Sequence, residues 1–335
     1  MPPQQYWKIR KKREVIRSGR IKMVYVIMKS IKNLYFAVAL VVLAVGCSKL
    51  DSGMEQKSSP IFRASFEANE EEDVNEPGTK VYIDSDLKLH WDANDEISLF
   101  NGSSVNEQYR FKGAQGEKIG EFEKISQTTP EGGSTLRANY AVYPYSADVA
   151  YASNVAFGGR GVIGFRVNVP REQKYAENGF DKASNIMVAV TSGTDDFDLN
   201  FKNAVSYLVL RLYGKDVTVK SVTIKNLAEV APVLSGVFYS GLAYNQTPSY
   251  KAASGEANPR FADVVLNCGT SGVKLGDTEE DAVDFWFVVI PGTASGMQVT
   301  IEDINGKTAT ISTANTLKFS RNKIKRMAPK EVVFN

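Results

Sequence analysis

Leu87-Lys88-Leu89-His90-Trp91-Asp92-Ala93-Asn94-Asp95-Glu96-Ile97-Ser98-Leu99-Phe100 is the stretch that decides the fold. Apolar and polar residues alternate up to Trp91, and they alternate again from Glu96. A period of two is the mark of a strand with one buried face. Between the two runs stand Asp92, Ala93, Asn94 and Asp95, residue types that hydrogen-bond to their own backbone and turn the chain. The unit reads as strand, tight turn, strand.

The same grammar extends in both directions. Upstream, residues 61–67 (Ile-Phe-Arg-Ala-Ser-Phe-Glu) form a first alternating run, followed by an acidic loop, Glu70 to Gly78, and a strand over 79–84. Downstream, strands are expected at 108–111, 121–125, 139–143, 164–169 and 185–190. After the Thr191–Asp196 cluster a second series covers 198–201, 207–213, 218–224, 236–239, 263–266, 284–290, 298–303, 308–312 and 332–334. Residues 203–212 admit a short helical turn ahead of their strand. No long window holds a 3.6-residue period. Short strands at roughly 8–15-residue spacing with polar turns argue for β-sandwiches and against an α/β fold. Two series divided near residues 195–200, each of about 130–140 residues, match ordinary domain size. The expected units are 61–197 and 198–335.

Most sites of chemistry can be set aside. His90 is the only histidine, so a histidine triad or multi-histidine metal site cannot be assembled within one chain. Beside Trp91 it reads as a strand residue. Gly159-Arg160-Gly161-Val162-Ile163-Gly164 matches a dinucleotide loop in spacing, but a strand ending at Pro170 follows where a helix is needed. Asp195-Asp196-x-Asp198 and Asp277–Asp281 offer oxygens to calcium without the glycine and final glutamate of an EF-hand, and read as turns. Asp92 and Asp95 fit a carboxylate pair, which only their separation in space can establish. Trp91, Trp286 and the many Tyr and Phe fit either a sugar platform or, more simply, a core. Asn101 and Asn245 stand in glycosylation-type triplets. These residues give no catalytic group, cofactor or metal site.

The segment Leu43-Ala44-Val45-Gly46-Cys47 fixes the compartment. It closes an apolar run, 34–45, of 12 residues, against the roughly 20 a membrane-spanning helix needs. Lys29 and Lys32 precede it, as in a secretory signal. A cysteine directly after a small residue resembles a bacterial lipobox, with cleavage between Gly46 and Cys47 and lipidation of Cys47. Ala44 stands where Leu is commoner. An ordinary signal peptide that contains a cysteine is the plainer alternative. Residues 1–27 add a basic arm ahead of Met28, and translation from Met28 would make them a misassigned start. Of the 40 basic and 38 acidic residues, ten basic and one acidic lie within residues 1–46. The remainder carries 30 basic and 37 acidic residues, a net charge of −7 in place of +2, so the basic arm says nothing about nucleic acid. With Cys47 lipidated, Cys268 stands alone and no intrachain disulfide is available. Residues 47–60 read as a flexible tether.

The order of these blocks resembles the fimbrillin family, lipoprotein fimbrial subunits and adhesins of Bacteroidales-type bacteria. The carriers are Thr79-Lys80-Val81-Tyr82, then Trp91 through Asp95-Glu96-Ile97-Ser98-Leu99-Phe100. They continue with Tyr140-Ala141-Val142-Tyr143-Pro144, Met187-Val188-Ala189, Phe201-Lys202-Asn203-Ala204, Leu234-Ser235-Gly236, Phe287 to Gly292 and Phe319-Ser320-Arg321-Asn322. The resemblance spans residue 61 to the C-terminus. It implies an all-β chain of two tandem transthyretin-like Greek-key β-sandwich domains behind a lipoprotein signal peptide. It implies a lipid anchor in the outer membrane, exposure at the surface, and assembly into a fimbrium with other subunits by donor-strand exchange. In that scheme a protease cuts after an arginine near the first strand, and Arg63–Ala64 is the best-placed bond. Surface glycans or proteins of a host or another bacterium would be the targets of adhesion. The segment Val332-Val333-Phe334 reads as a final or donor strand. Two rival readings stand beside this one: a carbohydrate-binding surface lipoprotein that never polymerises, and a hydrolase built on carboxylates.

Overall fold

The computed structural model describes residues 59–67, 90–126, 132–153, 163–228 and 233–334. The leader, Cys47, the tether up to residue 58, and the expected strands at 79–84 and 87–89 lie outside them. In chain order the described strands begin with β1 (Phe62–Phe66), β2 (Glu96–Phe100), β3 (Glu107–Phe111), β4 (Gly120–Lys124), β5 (Tyr140–Tyr143) and β6 (Ala150–Ala152). They continue with β7 (Gly164–Val169), β8 (Glu172–Lys174), β9 (Met187–Val190), β10 (Asp198–Asn203), β11 (Ser206–Tyr213) and β12 (Thr218–Asn226). The third group is β13 (Ser235–Gly241), β14 (Ser249–Ala252), β15 (Arg260–Phe261), β16 (Asp263–Asn267), β17 (Val273–Lys274) and β18 (Val283–Val289). The last are β19 (Gly292–Asp303), β20 (Thr308–Phe319), β21 (Ile324–Arg326) and β22 (Lys330–Glu331). One 3-10 turn, Lys182–Ser184, is capped by the Asp181 side chain. The fold is all-β and sandwich-like.

Seven strands close into a barrel in the order β1-β10-β9-β5-β2-β3-β4. The remaining strands form open sheets: β18-β11-β21 with β22 on β11, β20-β19-β12-β16-β8 with β17 on β12, and β14-β13-β7-β6 with β15 on β13. Strand β10 opens just past residue 197 and completes the barrel with strands that precede that point. Strands β7 and β8 cross the other way, β7 pairing with β13 and β8 with β16.

Side-chain alternation explains how these layers stack. Strands β5 and β9 are buried along their whole length, and their sequences, Tyr-Ala-Val-Tyr and Met-Val-Ala-Val, are unbroken apolar runs. A run without polar alternation is what a strand covered on both faces requires. Ala141, Tyr143, Met187 and Ala189 point into the barrel core. Tyr140, Val142, Val188 and Val190 point the other way, into a second core. Strands β11 and β18 repeat the device. Tyr207, Val209, Trp286 and Val288 face that second core, while Leu208, Leu210, Phe285 and Phe287 face a third.

Some local expectations differ from the fold. No helical turn occupies residues 203–212, where β10 and β11 run with only Ala204 and Val205 between them. The β-branched and aromatic residues of β11 pair along seven positions with β18, and tertiary pairing overrides the local helical option. The C-terminal ladder ends at Glu331. Val332 is buried and donates its amide to the Tyr213 carbonyl, while Val333 is exposed. The hairpin β19–β20 is much longer than expected, because its Thr-rich outer arm (Thr308–Phe319) alternates with few apolar residues.

Trp91 sits at the centre of the barrel, fully buried. Its ring meets Phe66, Phe122, Phe201, Tyr143 and Phe111 at centroid distances of 4.4, 4.9, 5.6, 5.7 and 6.2 Å. Its indole N–H donates to the Ala64 carbonyl at 3.3 Å. Trp91→Ala should lower unfolding stability by about 3–5 kcal/mol, read from the denaturant midpoint. A loss below about 1 kcal/mol would show that the barrel does not depend on this ring.

Candidate functional site

Strand β1 is the seam of the barrel. It pairs parallel with β10, Ala64 opposite Leu199 and Phe66 opposite Phe201, and antiparallel with β4, Phe62 opposite Phe122 and Ala64 opposite Gly120. Without it, β10 and β4 would both present open edges. Phe62 and Ala64 are wholly buried and belong to the barrel core, with Phe66 packed against it. The Phe62 ring stands edge-on to Tyr109 at 5.6 Å and to Phe197 at 5.3 Å. Arg63 faces outward and is exposed. The Arg63–Ala64 bond therefore lies within a paired strand, with the Arg63 amide donating to the Phe197 carbonyl at 2.9 Å. Ladder hydrogen bonds keep a strand out of a protease cleft, so cutting here requires β1 to leave the barrel first.

The seam ends in a charged clamp. Glu67 follows β1 and donates its amide to the Phe201 carbonyl at 2.8 Å. Its Oε1 accepts from Arg321 Nη1 at 2.7 Å and from the Asn203 amide at 2.9 Å. Its Oε2 lies 3.3 Å from Arg321 Nη2. Arg321 Nη1 also donates to the Asn203 carbonyl at 2.7 Å. The two side chains keep only 17% and 22% of their surface exposed, which places a charge-assisted fork in a poorly solvated site. The Asn203 side-chain amide continues the network to the Tyr207 hydroxyl, which donates to Asn185 Oδ1. Sequence reasoning missed Glu67 and Arg321. They are 254 positions apart, and no local pattern joins them.

The other residues singled out in the sequence have structural partners. Asp95 closes the turn after Trp91: its Oδ2 accepts from the Asp92 amide at 2.8 Å and its Oδ1 from the Tyr143 hydroxyl at 3.2 Å. Asn94 takes a positive φ of 69° at the bend. Asp92 forms an ion pair with Lys182. His90 Nδ1 lies 2.6 Å from the Gly116 carbonyl; a carbonyl only accepts, so Nδ1 carries the proton. Trp91 and Trp286 are both buried and offer no face to a sugar. The Asp196 carboxylate is occupied by Ser192 and by the Asp198 amide, which hold it below the usual carboxylate range. In the Asp277–Asp281 loop, Asp281 accepts from the Thr278 hydroxyl at 3.3 Å. Residues 159–162 of the glycine-rich stretch lie outside the described residues, and Gly164 opens β7, which runs to Val169 just before Pro170. Asn101 and Asn245 stand at chain bends, Asn245 with φ 57°. Cys268 is a free thiol that burial pushes up to about 12, well away from nucleophilic chemistry at neutral pH.

Among the described residues no three His, Cys, Asp or Glu converge as metal ligands, and no helix is long and apolar enough to cross a membrane. A groove of about 330 Å³ opens onto the third core, lined by Leu210, Leu212, Met297, Val299, Ile311 and Met327.

No family model matches this chain, and no curated protein matches it. Solved structures to which it is similar include a proposed cell adhesion protein from Bacteroides uniformis, at 16% identity. That match covers 72% of this chain and 88% of the other, with a TM-score of 0.43. A proposed cell adhesion protein from Bacteroides ovatus shares 14% identity over 72% of this chain and 83% of its own, TM-score 0.42. A fimbrial protein from Bacteroides ovatus shares 14% identity over 77% of this chain and 50% of its own, TM-score 0.30. At these scores the likeness decides nothing about function.

Burial raises the Asp95 carboxyl from its ordinary 3.8 to about 7, against the lowering effect of the Tyr143 hydroxyl. The folded state thus keeps a proton that the unfolded state has released. Folding stability should fall as pH rises from about 4 to about 7, and the ionised carboxylate is a cost above that window. Asp95→Asn should flatten this slope in pH-dependent denaturation. A slope between pH 4 and 7 that Asp95→Asn leaves unchanged would contradict the assignment.

Proposed function

We propose that this chain is a non-catalytic cell-surface subunit of the fimbrillin type, a fimbrial subunit or adhesin. One observation carries the reading: β1 lies at the N-terminal end of the described fold, closes the barrel through two ladders, and buries Phe62 and Ala64 in its core. A strand placed so can be replaced by another extended segment. Main-chain hydrogen bonds would supply affinity and alternate side chains would set register. The polar partners found at Asp92, Asp95, His90 and Asp196 favour structural roles over acid–base chemistry, which supports the non-enzymatic reading. The burial of Trp91 and Trp286 weighs against the carbohydrate-platform alternative.

In this reading Cys47 is acylated after cleavage at Gly46–Cys47, and residues 47–60 tether the body to the outer membrane during export. Cleavage between Arg63 and Ala64 then severs the anchor and takes Phe62 with it. The Phe62 site beside Tyr109 and Phe197 is left for an incoming strand of another fimbrial subunit. The assembled protein is exposed on the cell surface and binds host or bacterial targets.

Terminal sequencing of protein recovered from the cell surface tests this. The expected result is a terminus at Ala64 and complexes that resist mild denaturant, because a donated strand is part of a core. A terminus still at Cys47, with monomers that bind glycans, would overturn strand exchange and favour a non-polymerising lectin-like lipoprotein.

A further inference from the structure

The ion pair of Asp92 and Lys182 differs from the others in one respect. Asp92 Oδ2 meets Lys182 Nζ, while Asp92 Oδ1 is buried and meets no donor. No other ion-paired carboxylate of the described residues has such an oxygen. A bare carboxylate oxygen in a poorly solvated place is unfavourable, because it carries charge without a hydrogen bond. The carbonyl oxygen of an amide carries no formal charge and costs less there.

Both side chains leave backbone points that are already fixed. Asp92 opens the tight turn after fully buried Trp91. Its amide donates to Asp95 Oδ2 at 2.8 Å, and its carbonyl accepts from the Asp95 amide at 3.0 Å. Lys182 opens the 3-10 turn. Asp181 caps that turn, its Oδ1 accepting from the Ala183 amide and its Oδ2 from the Ser184 hydroxyl, each at 3.2 Å. Phe180 and Ile186, on either side, are anchored in the middle core. Amine and carboxyl are thus presented to each other by two rigid turns. Burial also holds Lys182 below the ordinary lysine range, which enlarges the share of neutral, nucleophilic amine.

We propose that Lys182 and Asp92 condense into an intramolecular isopeptide bond. Within the pair a proton passes from the ammonium to the carboxylate. The freed Nζ lone pair attacks Asp92 Cγ. The Nζ–Cγ bond forms and the Cγ–Oδ2 bond breaks. Oδ2 leaves as water, carrying two of the three ammonium protons, and no further reactant is needed. Oδ1 remains as the buried amide carbonyl. The half-exposed flank of Lys182 gives the water a way out. Fixed presentation supplies the drive, since well-oriented intramolecular partners reach effective molarities on the order of 10⁵–10⁸ M. The bond joins the turn beneath the barrel core to the segment that leads into β9. It closes a long loop and so removes entropy from the unfolded chain.

Peptide mapping of the full chain, folded and held at neutral pH, tests this. Trypsin does not cut after an acylated lysine. The expected product is one branched species, residues 89–110 joined to residues 175–202, lighter than the two peptides together by one water. Lys182→Arg keeps the charge but cannot condense in this way, and it should release residues 89–110 as a separate peptide of full mass. Asp92→Ala should do the same for its own peptide. Separate peptides 89–110, 175–182 and 183–202 from the unmutated chain would overturn the bond and leave an ordinary ion pair.

Discussion

Strand β1 must satisfy two ladders at once, a parallel one with β10 and an antiparallel one with β4. The barrel depends on this constraint. Five residues supply the backbone that seals it, two of them fill its core, and Glu67 ties its end to Arg321. Trp91 shows why the seam cannot be treated as trim. Its indole donates to the Ala64 carbonyl and its face meets Phe66. The ring that organises the barrel core is thus partly held by the strand that closes it.

The other cores follow from strands that are covered on both faces. Strands β5 and β9 separate the barrel core from the middle core, and β11 and β18 separate the middle core from the third. Each wall serves two cores with alternate side chains. Disturbance of one face is therefore transmitted to the next only through a rigid, fully paired strand. Strand β1, by contrast, has one buried face and one open face, as β4 does, so its exchange disturbs a single core.

Much of this was legible in the residues. The alternation from Glu96 announced strand β2, and Asp95 closes the turn before it through the backbone as its residue type implied, while the run 87–89 ahead of Trp91 lies outside the described residues. The run 61–67 was readable as a first strand, and the glycine-rich stretch ahead of Phe165 as the approach to a strand. What escaped was non-local or short. The Glu67–Arg321 fork joins the two ends of the fold. Three-residue strands such as β6 and β8 are too brief to show a period. The C-terminal Val-Val-Phe run looked like a strand from its β-branched residues; the assigned ladder ends at Glu331, while Val332 still donates its amide to Tyr213 and packs, with half-buried Phe334, against the third core. Residues 139–143 and 185–190 were readable as strands, but which two cores β5 and β9 divide was not.

If β1 is a separable closing strand, it opens at a lower free energy than the walls behind it. Amide hydrogen exchange on the intact chain measures this directly. The account predicts that the amides of Arg63 and Ser65 exchange well before those of Ala141, Val142 and Val188, with the Glu67 amide slowest of the seam because the Arg321 fork holds it. Protection of β1 equal to that of β5 and β9 would mean that the barrel opens only as a whole, and would contradict a replaceable seam.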